Sequence, residues 1–319
     1  MEYNQIKDVS IVIPAHNEER NIRELCDRIK DAIPARYSWE IIIVDDGSSD
    51  RTNEVIREVF AEEKRIRSIV LSRNYGHQGA LTAGYDTATG KVVITMDADL
   101  QHPPELIPGM LELWGKGFEV VLMKRVYTED TGWFKRLSSK LFYSLLRKIT
   151  HIYLEEGVAD FRLIDRKVVN YLRKYRESGR FIRGIINDMG FKRTTLEYEE
   201  PGRKYGESKY TIVHMIRFAI SGITSFSIIP LRISMLIGSV ISLFSILYAF
   251  WIVSYKFLYG VPTGIASVLI GIFFLGGIQL MSIGILGEYI ASIYNEVKNR
   301  PLYCIKEIID YEENISHGD

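Results

Sequence analysis

Short apolar runs rich in β-branched residues alternate with amphipathic runs along the first 125 residues of this 319-residue chain. Val9-Ser10-Ile11-Val12-Ile13 precedes a helical pattern from Glu18 to about Ile33. Glu40-Ile41-Ile42-Ile43-Val44 precedes one from Asp50 to about Glu63, and Ser68-Ile69-Val70-Leu71 one from Gln78 to Ala88. Val92-Val93-Ile94-Thr95-Met96 then runs into Asp97-Ala98-Asp99, a Pro103-Pro104 breaker and a helical pattern from Glu105, before Glu119-Val120-Val121-Leu122-Met123. The alternation predicts a parallel, helix-covered α/β sheet whose ligand lies beyond the carboxyl ends of the strands. Acidic groups gather at those ends: His16-Asn17-Glu18 after the first strand, Asp45-Asp46 after the second, Asp97 and Asp99 after the fourth.

The pattern changes after Lys209. Ile233–Tyr255 and Phe257–Gly287 carry no charge, with only Lys256 between them, and each is long enough for a membrane helix, which needs about 20 residues. Tyr259-Gly260-Val261-Pro262-Thr263-Gly264 supplies the turn. Arg217 and Arg232 lie before the first span, Lys298 and Arg300 after the second, and Lys256 alone in the turn, so the positive-inside rule predicts a hairpin with both ends cytoplasmic. No basic start with an apolar run precedes the first strand, and a cytoplasmic catalytic part is expected. The expected organisation is a catalytic domain over 1–210, interfacial amphipathic helices over 211–232, two transmembrane helices within 233–290 and a cytoplasmic tail over 291–319. That makes a multi-pass protein of the cell's inner (plasma) membrane. In the second span Gln279 and Gly271, Gly276, Gly277, Gly284 and Gly287 suit helix contacts within the hairpin or between protomers, leaving a homo-oligomer open.

A formal net charge of zero gives no electrostatic case for a nucleic-acid partner. Cys26 and Cys304 lack ligand spacing and read as packing residues in a reducing compartment. The acidic edge is not a dinucleotide site, since no G-x-G-x-x-G follows the first strand. Nor is it a P-loop: five residues separate Gly84 from Gly90-Lys91, and Val92 stands where Ser or Thr is required. Two carboxylates at the end of a buried strand repel each other unless a divalent ion, a hydrogen-bond cage or a basic partner offsets the charge. Because a carboxylate-rich site repels phosphate unless a metal mediates, Mg²⁺ or Mn²⁺ and a substrate that brings a diphosphate are expected.

Six stretches carry a resemblance. Ser10 to Glu18, Val44-Asp45-Asp46-Gly47-Ser48, Leu71-Ser72-Arg73-Asn74-Tyr75-Gly76, Asp97 to Glu105, Gly157-Val158-Ala159-Asp160-Phe161-Arg162-Leu163 and Arg203 to Tyr210 together resemble the family 2 glycosyltransferases of GT-A fold. More narrowly, they resemble the polyprenyl-phosphate glycosyltransferases, a group that includes dolichyl-phosphate mannose synthases and bactoprenol glucosyl transferases. The resemblance implies a GT-A catalytic domain with a mostly parallel sheet and a C-terminal two-helix transmembrane hairpin. It implies Pro14, His16, Glu18, Asp46, Arg73, Asp97, Gln101 and Lys209 around the nucleotide-sugar donor, with Glu18 at the ribose and Asp46 at the base. Asp97, Asp99 and Gln101 would surround the metal, and Arg203 and Lys209 would reach the phosphates. His16 stands where relatives commonly have Tyr, and His77 where many have Lys, so donor identity and pH dependence stay open.

The basic series Lys124-Arg125, Lys135-Arg136, Ser139-Lys140 and Arg147-Lys148 reads as a solvated helix face or as a grip on a lipid phosphate; the resemblance favours the grip, through Arg125, Lys135 and Ser139. Thr211 to Arg232 suits helices lying in the membrane interface beside the lipid. Asp160, Asp99 and Arg203 are the candidate catalytic residues. A phosphate monoester has a second pKa near 6, so a lipid phosphate needs little deprotonation, and Asp160 is expected to orient Arg162 or the acceptor more than to act as general base. The expected activity is transfer of a hexose, glucose from UDP-glucose first, to polyprenyl (undecaprenyl) phosphate with inversion. UDP-N-acetylglucosamine, GDP-mannose and a UDP-linked modified arabinose are alternative donors. A polysaccharide synthase would need a Q-x-x-R-W motif that is absent, and a non-catalytic protein would have no reason to keep Asp97, Asp99 and Arg203.

Overall fold

The structure is a computed structural model that describes residues 7–126, 157–199, 229–259 and 264–310. The first apolar runs become strands β1 (Val9–Ala15), β2 (Trp39–Asp45), β3 (Ile66–Leu71), β4 (Val92–Thr95) and β5 (Val120–Val126). Helices α1 (Ile22–Ala32), α2 (Thr52–Glu62), α3 (His77–Thr87) and α4 (Ile107–Gly115) fill the intervals. Strand β6 (Val158–Asp165), helices α5 (Arg166–Leu172) and α6 (Ile182–Asp188), and strand β7 (Arg193–Glu199) follow. Two long helices, α7 (Ile229–Tyr259) and α8 (Ile265–Val297), precede a last strand, β8 (Ile305–Ile309).

All eight strands join one sheet in the order β7-β5-β6-β4-β1-β2-β3-β8. β1 pairs in parallel with β2 and β4, β2 with β3, and β5 with β7, whereas β6 runs antiparallel to β4 and β5, and β8 antiparallel to β3. The uncharged composition of β1, of β4 and of the Ile41–Val44 stretch of β2 follows from burial on both faces. Ile11, Ile13, Ile41 and Ile43 pack with Leu25, Ile29, Ile94, Ile107 and Phe161 in the main core. On α3, a Cβ at Gly84 would lie 2.2 Å from Val12 Cγ1, so the missing side chain lets the helix lie directly on β1. Pro14 sits in a central strand without breaking a ladder, because the last β1–β4 pair is Val12–Thr95 and its missing N–H falls beyond it.

The chain divides into two compact units, one containing the sheet and the other containing α7 and α8. In the second unit Ile229–Tyr248 and Phe274–Val297 are long and apolar enough to cross a membrane. Leu236, Phe244, Phe250, Leu280 and Met281 are exposed, a distribution suited to lipid rather than water. Ser234 Oγ donates to Ser282 Oγ at 2.8 Å, a polar tie between the two helices. β8 belongs to the sheet unit and lies within the segment the sequence reading leaves as a tail; it covers the β3 edge, with Arg57 paired to Glu307.

Candidate active site

The parallel strands β1 to β5 end at one edge of the sheet, and antiparallel β6 begins there, so the residues after β1, β2, β3 and β4 meet the first residues of β6. At the β1 end His16 Nδ1–H donates to Asp46 O at 3.0 Å, and Asn17 adopts φ 59, a left-handed conformation that Asn tolerates. Asn17 Oδ1 accepts from Ser49 N at 2.8 Å, and Asn17 N donates to Ser48 Oγ at 3.0 Å, stitching the β1 and β2 loops together. Glu18 precedes α1, its Oε2 accepting from Asn21 Nδ2 at 2.6 Å. Asp46 is buried and its Oδ1 accepts from Tyr75 N at 2.7 Å; burial raises its pKa, the backbone N–H bonds of Tyr75 and Gly76 pull the other way, and the net shift is upward. The carboxylate thus organises the β3 loop. Gly47, at φ +64, lets that loop approach: a Cβ there would lie 2.6 Å from Arg73 C. Arg73 stacks on Tyr75, its guanidinium carbon 4.1 Å from the ring centroid.

The β4 end carries the paired carboxylates. His102 is buried against Phe161 in a stack with 5.0 Å between centroids, and its Nδ1 accepts from Asp97 N at 2.9 Å. The turn is thereby pinned to the core. Leu100 adopts φ 63, an uncommon conformation for a non-glycine residue costing about 1 kcal/mol. Its side chain goes into the core while Asp99 and Gln101 stay partly exposed, and Asp99 Oδ1 accepts from Gln101 N at 3.2 Å. Burial raises the Asp97 pKa, but the surrounding His102, His77, Arg183 and Arg162 outweigh it and hold the carboxyl below its ordinary range.

Asp160 stands beside this turn. Between the pairs Leu122–Arg162 and Lys124–Val158, three residues of β6 face one of β5, so Asp160 lies in a bulge that re-aims its side chain. Thr95 Oγ1 donates to Asp160 O at 2.6 Å. Arg162, completely buried, bonds Asp160 Oδ1; burial lowers its pKa to about 10, which leaves it charged at neutral pH. Asp160 Oδ2 receives Arg183 Nη2 at 3.2 Å and lies 3.3 Å from His77 Nε2, which is also 3.7 Å from Asp97 Oδ1. Both oxygens therefore face donors.

The structure brings Pro14, His16, Glu18, Asp46, Arg73, Asp97, Asp99, Gln101 and Asp160 to this edge. Arg125 lies near the carboxyl end of β5, its backbone N donating to Gly157 O at 2.8 Å. Arg203, Lys209, Lys135 and Ser139 lie outside the described residues. Sequence reasoning missed Arg183 and the anchoring of Asp97 by His102. The placement of His102 five residues after Asp97, just before Pro103-Pro104, hints at the second; nothing local marks the first. Among the described residues no three His, Cys, Asp or Glu side chains form a metal-ligand group. Two carboxylates and an amide oxygen on one turn are donor types that a hard cation such as Mg²⁺ would take.

The family model for glycosyl transferase family 2 matches residues 10–173, which contain both the carboxylate turn and the Asp160 bulge. The chain belongs to this family. It is a glycosyltransferase, and its mostly parallel sheet with flanking helices is a GT-A fold. An uncharacterized glycosyltransferase of Synechocystis is 39% identical over 303 residues, covering 94% of this chain and 95% of the relative. The SfII prophage-derived bactoprenol glucosyl transferase of Shigella flexneri is 39% identical over 301 residues, 94% of this chain and 97% of the relative. A crystal structure of glucosyl-3-phosphoglycerate synthase from Mycobacterium tuberculosis with Mg²⁺ and uridine diphosphate is 18% identical, with a TM-score of 0.49, over 68% of this chain and 77% of that one.

Proposed function

We propose that this family 2 glycosyltransferase moves glucose from UDP-glucose to undecaprenyl phosphate at the cytoplasmic face of the plasma membrane. The observation that carries the reading is the 39% identity to a bactoprenol glucosyl transferase over 94% of this chain, a span too long to omit the apolar hairpin. In the reaction a phosphate oxygen of the lipid attacks the glucose anomeric carbon, the bond from that carbon to the UDP oxygen breaks, and the centre inverts. UDP leaves with its electron pair.

The donor lies across the loops after β1, β2 and β3, with Glu18 placed for the ribose and the Asp46-organised loop for the base. Asp97, Asp99 and Gln101 hold a divalent cation, Mg²⁺ or Mn²⁺, which supplies charge neutralisation for the departing UDP. Arg203 and Lys209 reach the diphosphate, and Arg125, Lys135 and Ser139 grip the lipid phosphate. Asp160 is an orienting group: its oxygens are engaged by Arg162, Arg183 and His77, and a lipid phosphate with a second pKa near 6 arrives already largely anionic. Of the segment 211–232 expected in the membrane interface, residues 211–228 lie outside the described residues, and 229–232 open α7.

The test uses full-length protein in detergent with undecaprenyl phosphate and Mg²⁺, following UDP release from UDP-glucose against UDP-N-acetylglucosamine, GDP-mannose and a UDP-linked modified arabinose. Release restricted to UDP-glucose and abolished by EDTA and by Asp99→Ala is expected. Equal release without undecaprenyl phosphate, or preference for another donor, overturns the assignment.

A further inference from the structure

Arg183 comes to the site by a route of its own. Ile182, Ile185 and Ile186 bury one face of α6, and Ile182 N donates to Gln78 Oε1 at 3.1 Å, tying the start of that helix to α3 next to His77. Arg183 therefore reaches the same oxygen of Asp160 that His77 approaches. Charge balance at Asp160 does not require it: Arg162 already supplies one full positive charge from the buried side. A second guanidinium near the first is repelled by it, and an anion arriving at the part-exposed guanidinium would relieve that repulsion. Asp97 is close, but its carboxylate is the one the proposed reaction commits to the cation. The Arg183 side chain is 28% exposed and that of His77 39%, so both look out over the open edge, whereas Arg162 is sealed beneath them.

We infer that Arg183 binds a substrate phosphate, its guanidinium aimed by Asp160 so that a fork of N–H donors meets phosphoryl oxygens at the open edge. The inference rests on the proposed reaction, in which both substrates present phosphate there: the diphosphate of the donor and the monoester of the lipid. A planar guanidinium held by one carboxylate oxygen suits either. Arg183 is then a binding residue, Asp160 its positioning residue and Arg162 the buried counter-charge that fixes Asp160.

The test measures binding of UDP with Mg²⁺, of undecaprenyl phosphate and of undecaprenol to full-length protein in detergent, for wild type, Arg183→Gln and Arg183→Lys. Arg183→Gln is expected to weaken one phosphate ligand about tenfold or more, with Arg183→Lys losing less and undecaprenol unaffected. Loss confined to UDP places Arg183 on the donor side; loss confined to undecaprenyl phosphate places it on the acceptor side. Wild-type affinity for both ligands in either variant, including a variant that only melts earlier, overturns the inference. If Arg183→Gln does not fold, Arg183→Lys decides on the same criterion. Wild type that binds UDP but not undecaprenyl phosphate refutes the acceptor reading and leaves the UDP arm to judge Arg183; wild type that binds neither refutes both.

Discussion

Replacing Asp160 with asparagine separates an orienting carboxylate from a general base. Arg162 is entirely buried, so the substitution leaves its guanidinium facing a neutral amide. Breaking a buried pair by removing one charge costs about 3–5 kcal/mol, and the lower end applies because the amide oxygen still accepts. For a catalytic unit of about 200 residues, about 3 kcal/mol corresponds to a fall of about 6–12 °C in the apparent melting temperature. Since Arg162 titrates at about 10, it stays charged through neutral pH and the destabilisation is present at assay pH. Turnover supplies the decisive readout. If Asp160 orients, the rate deficit of Asp160→Asn stays constant from pH 7 to pH 9, because the lipid phosphate has already lost its proton below that range. If Asp160 removes a proton, rising hydroxide replaces it, and a deficit that shrinks about tenfold per pH unit refutes the orienting role.

Gly47→Ala places a Cβ 2.6 Å from the Arg73 backbone at φ +64, so a stability loss of about 1–2 kcal/mol and weaker UDP binding are expected by thermal melting and titration; unchanged UDP affinity contradicts the role of this turn. Burial pushes the Cys26 thiol up to about 12, whereas Cys304 is exposed, so native protein at pH 8 is expected to label at Cys304 alone and denatured protein at both; rapid native labelling of Cys26 refutes the packing. The hydrogen bond from Lys91, with those from Ser38, lowers Asp8 to about 2, so its stabilisation is complete above the ordinary carboxylate range and lost as pH falls through about 2. The cost of Asp8→Asn in melting temperature is therefore expected to shrink between pH 7 and pH 2, and a constant cost contradicts the pairing.

The central strands were legible because burial on both faces demands uncharged, β-branched runs, and β1, β4 and Ile41–Val44 of β2 are such runs. The acidic edge followed from them, since parallel strands deliver their carboxyl ends to one side. Helix α1 begins at Ile22 rather than Glu18, because residues 18–21 are spent in turn bonds from Asn21 to Glu18 and from Glu18 N to Thr52 Oγ1. Strand β6 was hidden for a different reason: Asp160, Arg162 and Asp165 spoil its apolar pattern, and the burial of Arg162 makes sense only beside Asp160 in a bulge. The motif showed that chemistry was there without showing that two arginines and a histidine converge on it. Arg183 lies 23 residues from Asp160, and only the packing of α6 against α3 brings them together. β8 is short and charged, as edge strands are, so Lys306 and Glu307 conceal it in a sequence that otherwise reads as a tail.

The most direct measurement is the mass of the lipid product when full-length protein in detergent receives UDP-glucose, Mg²⁺ and undecaprenyl phosphate. The account predicts undecaprenyl phosphate bearing one hexose, formed one for one with released UDP. UDP release accompanied by free glucose, or by glucose in a growing glycan with the lipid phosphate unchanged, contradicts it.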